Sequence, residues 1–371
     1  MLIEIINLDI SAINKNDDKK ISSINHLMHS HGYRHHIVVA SKKTMRELLA
    51  SEYLYDLSRT YASEIYESLG EYRSYLTNVK FILRVDFSYD GEPVFSISPS
   101  NINVMSVSYT YFSDHTNLCS AKMLAEDMSD YEFYSEVARS NINGTMLNLP
   151  FKLDFRHGGG SQIKNNFIYL KNNNSVCLCI VDTDKKHPKG KEGSTSSSFS
   201  TAERVFNCSA YAKILDVHEI ESFIPESIME DVISKEANNQ DRVDSLDMLA
   251  RLNEIDSRVR QYFDHKNGLT LKTAINLDRT HGDFWLPILG NLPEFADKEC
   301  LTNKLCTECG ACPKIFGYGD NILSKSVEQL KIMTPRKIAE HVSPQLNECW
   351  SDIKDYVISW GCHPIGRVSR S

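Results

Sequence analysis

Two aspartates separated by one residue follow an apolar run in NSVCLCIVDTDKK, at Asp182 and Asp184. Carboxylates this close repel unless a cation or a proton offsets them, and their oxygens suit magnesium or manganese. Alternation along an extended chain predicts that Asp182 and Asp184 point to one side while Thr183 faces away. A divalent ion is the economical explanation of such a pair. Such an ion beside a phosphodiester activates water and stabilises the leaving oxygen. The lysine-bearing loop HPKGKEGSTSSSFST comes next, rich in glycine and serine and so expected to be mobile. With Lys185, Lys186, Lys189 and Lys191 leaving directly from the carboxylates, the loop is also placed to grip phosphate.

Two further stretches put acids where an element ends. In AKMLAEDMSDYEFYSEVAR, Glu126 and Asp127 follow a short apolar run, and Asp130 is expected to cap a helix starting near Tyr131. In AYAKILDVHEIESFIP, an apolar strand is expected to end in Glu219 and Glu221.

The elements that must position these acids lie between residues 118 and 236, where strands and helices alternate. That order predicts an α/β unit with a mostly parallel sheet flanked by helices, and such sheets place ligands outside the carboxyl ends of their strands. Residues 1–117 are expected to form a helical and small-sheet region. The first 78 are read as mainly helical, with Leu48, Leu49, Tyr53, Leu57 and Tyr61 at helical spacing, and residues 79–112 as a small antiparallel sheet. His26, His29, His31, His35 and His36 fall in irregular order and read as structural histidines rather than ligands. Residues 237–293 are expected to be a helical extension, and 294–371 a helical, cysteine-rich region.

The order of these pieces resembles the TOPRIM domain, the metal-binding catalytic domain shared by topoisomerases, bacterial primases and nucleases of the overcoming-lysogenization-defect type. A glutamate after an apolar segment (Glu126), a helix, a glycine-rich piece (His157 to Ser161), D-x-D after a strand and a later E-x-E carry the likeness. Asp127 stands where the family usually has glycine. The resemblance implies that Asp182 and Asp184 hold magnesium and that Glu126 binds metal or acts as general acid and base. Asp130 matches the family's aspartate a few places on, and Glu221 is the candidate further ligand, with Glu219 its alternative. QYFDHKNGL resembles the D-x-K-x-G segment of TOPRIM-like nucleases in bacterial antiviral systems, which implies that Lys266 steadies charge on phosphate in the transition state.

The cysteines say something separate. CLTNKLCTECGACPK supplies Cys306, Cys309 and Cys312, and SWGCHP supplies Cys362. Cysteines spaced two apart form the usual knuckle of a thiolate zinc site, with an iron–sulfur cluster as the alternative. A net charge of −8 argues against a general polyanion-coating protein but leaves room for an enzyme gripping phosphate through bound metal. No apolar run reaches the roughly 18 residues of a membrane span, and the first residues lack a basic n-region, so a soluble cytoplasmic protein is expected. Altogether these readings predict a magnesium-dependent nuclease acting on DNA or RNA in antiviral defence or a toxin-like role, possible as a homo-oligomer. The chain has no G-x-x-x-x-G-K-[ST] loop, so an ATPase sensor is the expected partner. The rival is a noncatalytic adaptor with a degenerate TOPRIM-like fold and a zinc-stabilised segment.

Overall fold

The structure is a computed structural model that describes residues 1–142, 149–306 and 312–365. It is a mixed α/β fold with two open sheets. The first contains β1 (Leu2–Ile6), β2 (Ile37–Val39), β3 (Phe81–Asp86), β4 (Val94–Ile97) and β5 (Asn103–Ser108), ordered β2-β1-β3-β5-β4. The second contains β6 (Lys122–Ala125), β7 (Asp154–His157), β8 (Cys177–Val181) and β9 (Ala210–Ile214), ordered β7-β6-β8-β9 and parallel throughout. A short antiparallel ribbon pairs β10 (Gly268–Thr270) with β11 (Lys314–Phe316).

The first sheet adds to one expectation and corrects another. Residues 1–78 are mainly helical, as expected, but they also supply β1 and β2, and residues 79–112 do not form a separate antiparallel sheet. β1 pairs in parallel with β2 and β3, and β3 with β5; only the edge strand β4 runs antiparallel, on β5. The reason is length. Runs as short as LIEII and IVV cannot be told from buried helix by periodicity, and parallel pairing depends on distant segments. The helical face expected from Leu48 to Tyr61 is likewise broken between helices Lys42–Ala50 and Asp56–Glu67, which leaves Leu57 exposed.

In the second sheet the expected strand–helix alternation is realised. All five β8 residues are buried, as a strand covered on both faces requires. Leu178 and Ile180 join the core shared with helices Met128–Arg139 and Pro344–Gly361, whereas Cys177, Cys179 and Val181 pack with Phe167 and Phe199 on the opposite face. The chain lays β7 on one side of β6 and β8 on the other. That reversal of winding opens a crevice outside the carboxyl ends of β6 and β8.

The main core runs from Met1 to Cys362 and ties the two sheets together. Trp360, fully buried, stacks on Phe81 of β3 with ring centroids 4.6 Å apart and on Tyr211 of β9 at 5.8 Å. His31 and His36 are buried in hydrogen bonds, His31 Nδ1 accepting from Val38 N and His36 Nε2 contacting Cys119 O. No helix among the described residues is long and apolar enough to cross a membrane.

Candidate active site

Glu126 is the first residue past β6, and the turn into the next helix explains its setting. Asp127, in extended backbone, accepts from Ser129 N and Asp130 N, while the Asp130 carboxylate accepts from Asp127 N at 3.2 Å. This is a reciprocal capping box, so the N-cap of helix Met128–Arg139 is Asp127 rather than Asp130. Asp127 is in extended backbone and needs no left-handed conformation, so an aspartate is accommodated at this turn without strain.

The glycine-rich piece backs the same residue. Gly158 N donates to Ala125 O at 2.7 Å and Gly159 N to Glu126 O at 3.2 Å. A Cβ on Gly158 would lie 2.6 Å from Ala125 O, and Gly159 and Gly160 both have positive φ. Backbone therefore runs against backbone here, and glycine is what permits it.

β8 ends at Val181, so the D-x-D lies beyond the strand. The alternation argument does not apply as stated, because Asp184 has φ of +56°. Its conclusion about Thr183 stands for another reason: the buried Thr183 donates from both N and Oγ1 to Val217 O. Asp184 N donates to His218 O, and Asp182 Oδ2 accepts from Ile220 N at 3.2 Å. The D-x-D is thus zipped to the segment after β9. That strand stops at Ile214, so Glu219 and Glu221 do not end it; they open a 3₁₀ turn, Ile220–Phe223. Glu219 and Glu221 are 6% and 1% exposed, and Glu221 Oε2 has no hydrogen-bond partner.

Lys266 enters from a distant turn whose geometry accounts for the D-x-K-x-G pattern. Asp264 Oδ1 accepts from Asn267 N at 2.7 Å, and Gly268 N donates to Asp264 O. Gly268 has φ of +82° and passes so near Ile315 O that a Cβ would lie 2.2 Å from it. Lys266 Nζ then sits 3.1 Å from Glu221 Oε1 and 3.7 Å from Glu219 Oε2.

The expected residues Glu126, Asp130, Asp182, Asp184, Glu221 and Lys266 are therefore brought to one crevice. Burial, and next the facing charges of Asp184 and Glu126, push the Asp182 carboxyl well above the carboxylate range. Burial followed by Asp184 raises Glu126, and burial followed by Asp127 pushes Asp130 up to about 7. Glu219 is pushed up to about 8, again by burial and then by Glu221. Burial opposes the charge on Lys266, yet Glu221 and Glu219 hold its ammonium above the ordinary lysine value. Beneath the cluster Tyr134 is fully buried, its phenol raised by burial and by Asp130 and Asp182.

Sequence reasoning gives less warning of His218, Asp264 and His265. Among the described residues, one set of three potential ligand atoms lies within 4.8 Å of one another, from His218, Glu219 and Asp264. Glu126, Asp182 and Asp184 do not form such a set. In the His218 group the carboxylates already have donors: Lys186 Nζ is 2.7 Å from Asp264 Oδ2, and Lys266 N donates to Glu219 Oε1. We therefore read it as a brace holding the Lys266 turn against the end of β9. Its signal was the density of acids and histidines in DVHEIE and FDHK.

The lysine loop is packed rather than loose. His187, Ser196 and Phe199 are buried, and Arg204 pairs with Glu192 at 2.6 Å. Lys185 pairs with Asp216 at 3.2 Å and Lys186 with Asp264 at 2.7 Å, so each of these lysines already stands on a carboxylate.

Cys309 lies outside the described residues. Cys306 is half-buried, Cys312 exposed, and Cys362 fully buried, its backbone carbonyl accepting from the Met1 amino group at 2.6 Å. Among the described residues no potential ligand group contains a cysteine.

Comparison of the chain with protein-family models, with curated proteins and with solved structures gives no match.

Proposed function

We propose that this chain is a metal-dependent nuclease of TOPRIM type that cuts phosphodiester bonds in DNA or RNA. The observation carrying the reading is the convergence of Glu126, Asp182, Asp184 and Glu221 with Lys266 at the switch point between β6 and β8. Carboxylates gathered there from three segments raise one another's proton affinity, and a cationic ligand relieves that crowding.

The donor set fits a hard divalent cation. It is all oxygen, and the buried Glu221 Oε2 is an acceptor with no partner. Asp182, Asp184, Glu126 and Glu221 would hold magnesium or manganese, with Asp130 adding charge from behind the helix cap. When bound, such an ion lowers the proton affinity of water and offsets charge on the leaving oxygen.

The chain's own residues do the rest. Glu126, raised in proton affinity and open to solvent, is suited to take and return a proton at the rim. Lys266 is charged and braced by Glu219 and Glu221, so its ammonium is preorganised for the developing negative charge on a phosphoryl oxygen. Ile220 N fixes Asp182 and the His218 carbonyl fixes the Asp184 backbone, so neither turn must reorganise as substrate enters.

A place in bacterial antiviral defence, with a separate ATPase sensor as partner, rests on the family likeness and on the lack of a phosphate loop in this chain. Zinc at Cys306, Cys309 and Cys312 rests on their spacing. The adaptor reading is favoured by one observation, the absence of a closed three-ligand group at Glu126, Asp182 and Asp184 among the described residues. Incubating the protein with plasmid and tRNA, in magnesium or in EDTA, separates the two. The nuclease reading expects cutting in magnesium alone.

A further inference from the structure

The second sheet carries a groove on the side of its edge strand β7, lined by basic and amide side chains although the chain as a whole is acidic. One wall is β6 and β7, with Lys122, Arg156 and His157; the other is helix Ile163–Asn172 and its cap, with Asn166, Tyr169 and Asn173. Those three helix positions are spaced by three and four, so they form one stripe facing the strand edge. The groove encloses about 530 Å³, and no carboxylate among the described residues lines it. Asp154 reaches Arg156 from outside at 2.7 Å, but Lys122 and His157 have no anionic partner among the described residues.

Tyr169 is 68% exposed. Asn166 Nδ2 donates to His157 O at 3.1 Å and Gly158 O at 3.2 Å, tying the groove to the glycine-rich turn. That turn is bonded to Glu126 through Gly159 N. One end of the groove, at His157 and Asn166, therefore meets the same glycine-rich turn that is bonded to Glu126.

We propose that this groove binds a single-stranded nucleic-acid segment and leads its backbone to the carboxylate cluster; the inference rests on the nuclease reading above and names its substrate form. Lys122 and Arg156 meet phosphates, Tyr169 stacks on an unpaired base, and the Asn166 and Asn173 amides meet sugar or base edges. Bases in a duplex are stacked on one another and so closed to Tyr169, which is why a single strand is selected.

The test uses the full chain carrying Asp182→Asn, in EDTA, so that binding is read without cutting. Fluorescence anisotropy follows labelled single-stranded 12-mers of DNA and of RNA, and the matching duplexes. Adding Tyr169→Ala is expected to weaken single-strand binding about tenfold. Adding Lys122→Ala is expected to lower the salt dependence of log affinity by about one ion's worth. Tyr169 is exposed and Lys122 half-buried at the start of β6, and unchanged melting temperatures confirm intact folds. Whichever of DNA and RNA loses more on Tyr169→Ala is the substrate form.

Single-strand binding within twofold of the parent in both variants, duplex binding as tight as single-strand binding, or no binding at low salt would each overturn the groove. Magnesium-dependent cutting with an insensitive Tyr169→Ala leaves the nuclease standing without the groove. Tyr169-dependent binding with no cutting by the parent chain leaves the groove without the nuclease.

Discussion

Asp182 sits half-buried among the acids of the crevice. Desolvation, and next Asp184, Glu126, Asp130 and Glu221, push it well above the carboxylate range, and Ile220 N donates to one of its oxygens. Replacing it by asparagine keeps that hydrogen bond and removes the charge, so Asp182→Asn is expected to fold normally yet lose about a thousandfold in cutting rate. Lys266→Met is expected to cost about a hundredfold, checked by single-turnover rates, since one preorganised donor supplies that much. The sequence made these residues legible because each sits in a short string of acids or cations that no core requires. The reasons they are arranged so were less legible. Asp182 and Asp184 were expected to converge by strand alternation, whereas a left-handed Asp184 and the bonds to Val217 and His218 set their places. Asp130 looked like a cap and proved to be the partner of one, Asp127.

Turns, more than strands, hold this crevice. Gly193 N donates to Thr183 O, and a Cβ there would lie 2.1 Å from Asp184 Oδ2. Gly193→Ala leaves its backbone unstrained, so its effect is to displace Asp184. A drop of at least about tenfold in cutting is expected, with little change in melting temperature; an unchanged rate would show that Asp184 does not need its observed position. Away from the crevice, His31 links helix Asp18–Gly32 to β2 by accepting from Val38 N. Burial lowers its pKa from 6.5 to about 3, so the unfolded chain takes up a proton that the folded chain refuses. Stability from this group is full above pH 6.5 and is lost as pH falls toward 3. Urea titrations from pH 7 to 4 are expected to show a steeper loss in the parent than in His31→Gln; parallel curves would contradict it. Short strands such as IVV escaped notice in the sequence because the long helices around them carry the stronger periodic signal. The lysine loop looked mobile from its serines and glycines, yet Phe199 and His187 anchor it, and low complexity alone did not reveal those contacts.

The two sheets share one core, and the last helix joins them. Trp360 lies between Phe81 of β3 and Tyr211 of β9, a contact between residues far apart in the chain that local pattern does not encode. Trp360→Ala is expected to cost about 3–5 kcal/mol, read by urea denaturation, and to loosen both sheets in one transition. A loss under about 1 kcal/mol would place the joint elsewhere. The crevice draws on residues from 126 to 266, so its chemistry depends on this packing. The central claim is that the crevice cuts phosphodiester bonds with a divalent ion. Its most direct measurement is the cutting of plasmid and tRNA by the parent chain and by Asp182→Asn, in magnesium and in EDTA. Each set is repeated with and without any ATPase encoded beside it. The account predicts cutting by the parent in magnesium alone and about a thousandfold slower cutting by Asp182→Asn; equal cutting by both proteins, or none under any of these conditions, would contradict it.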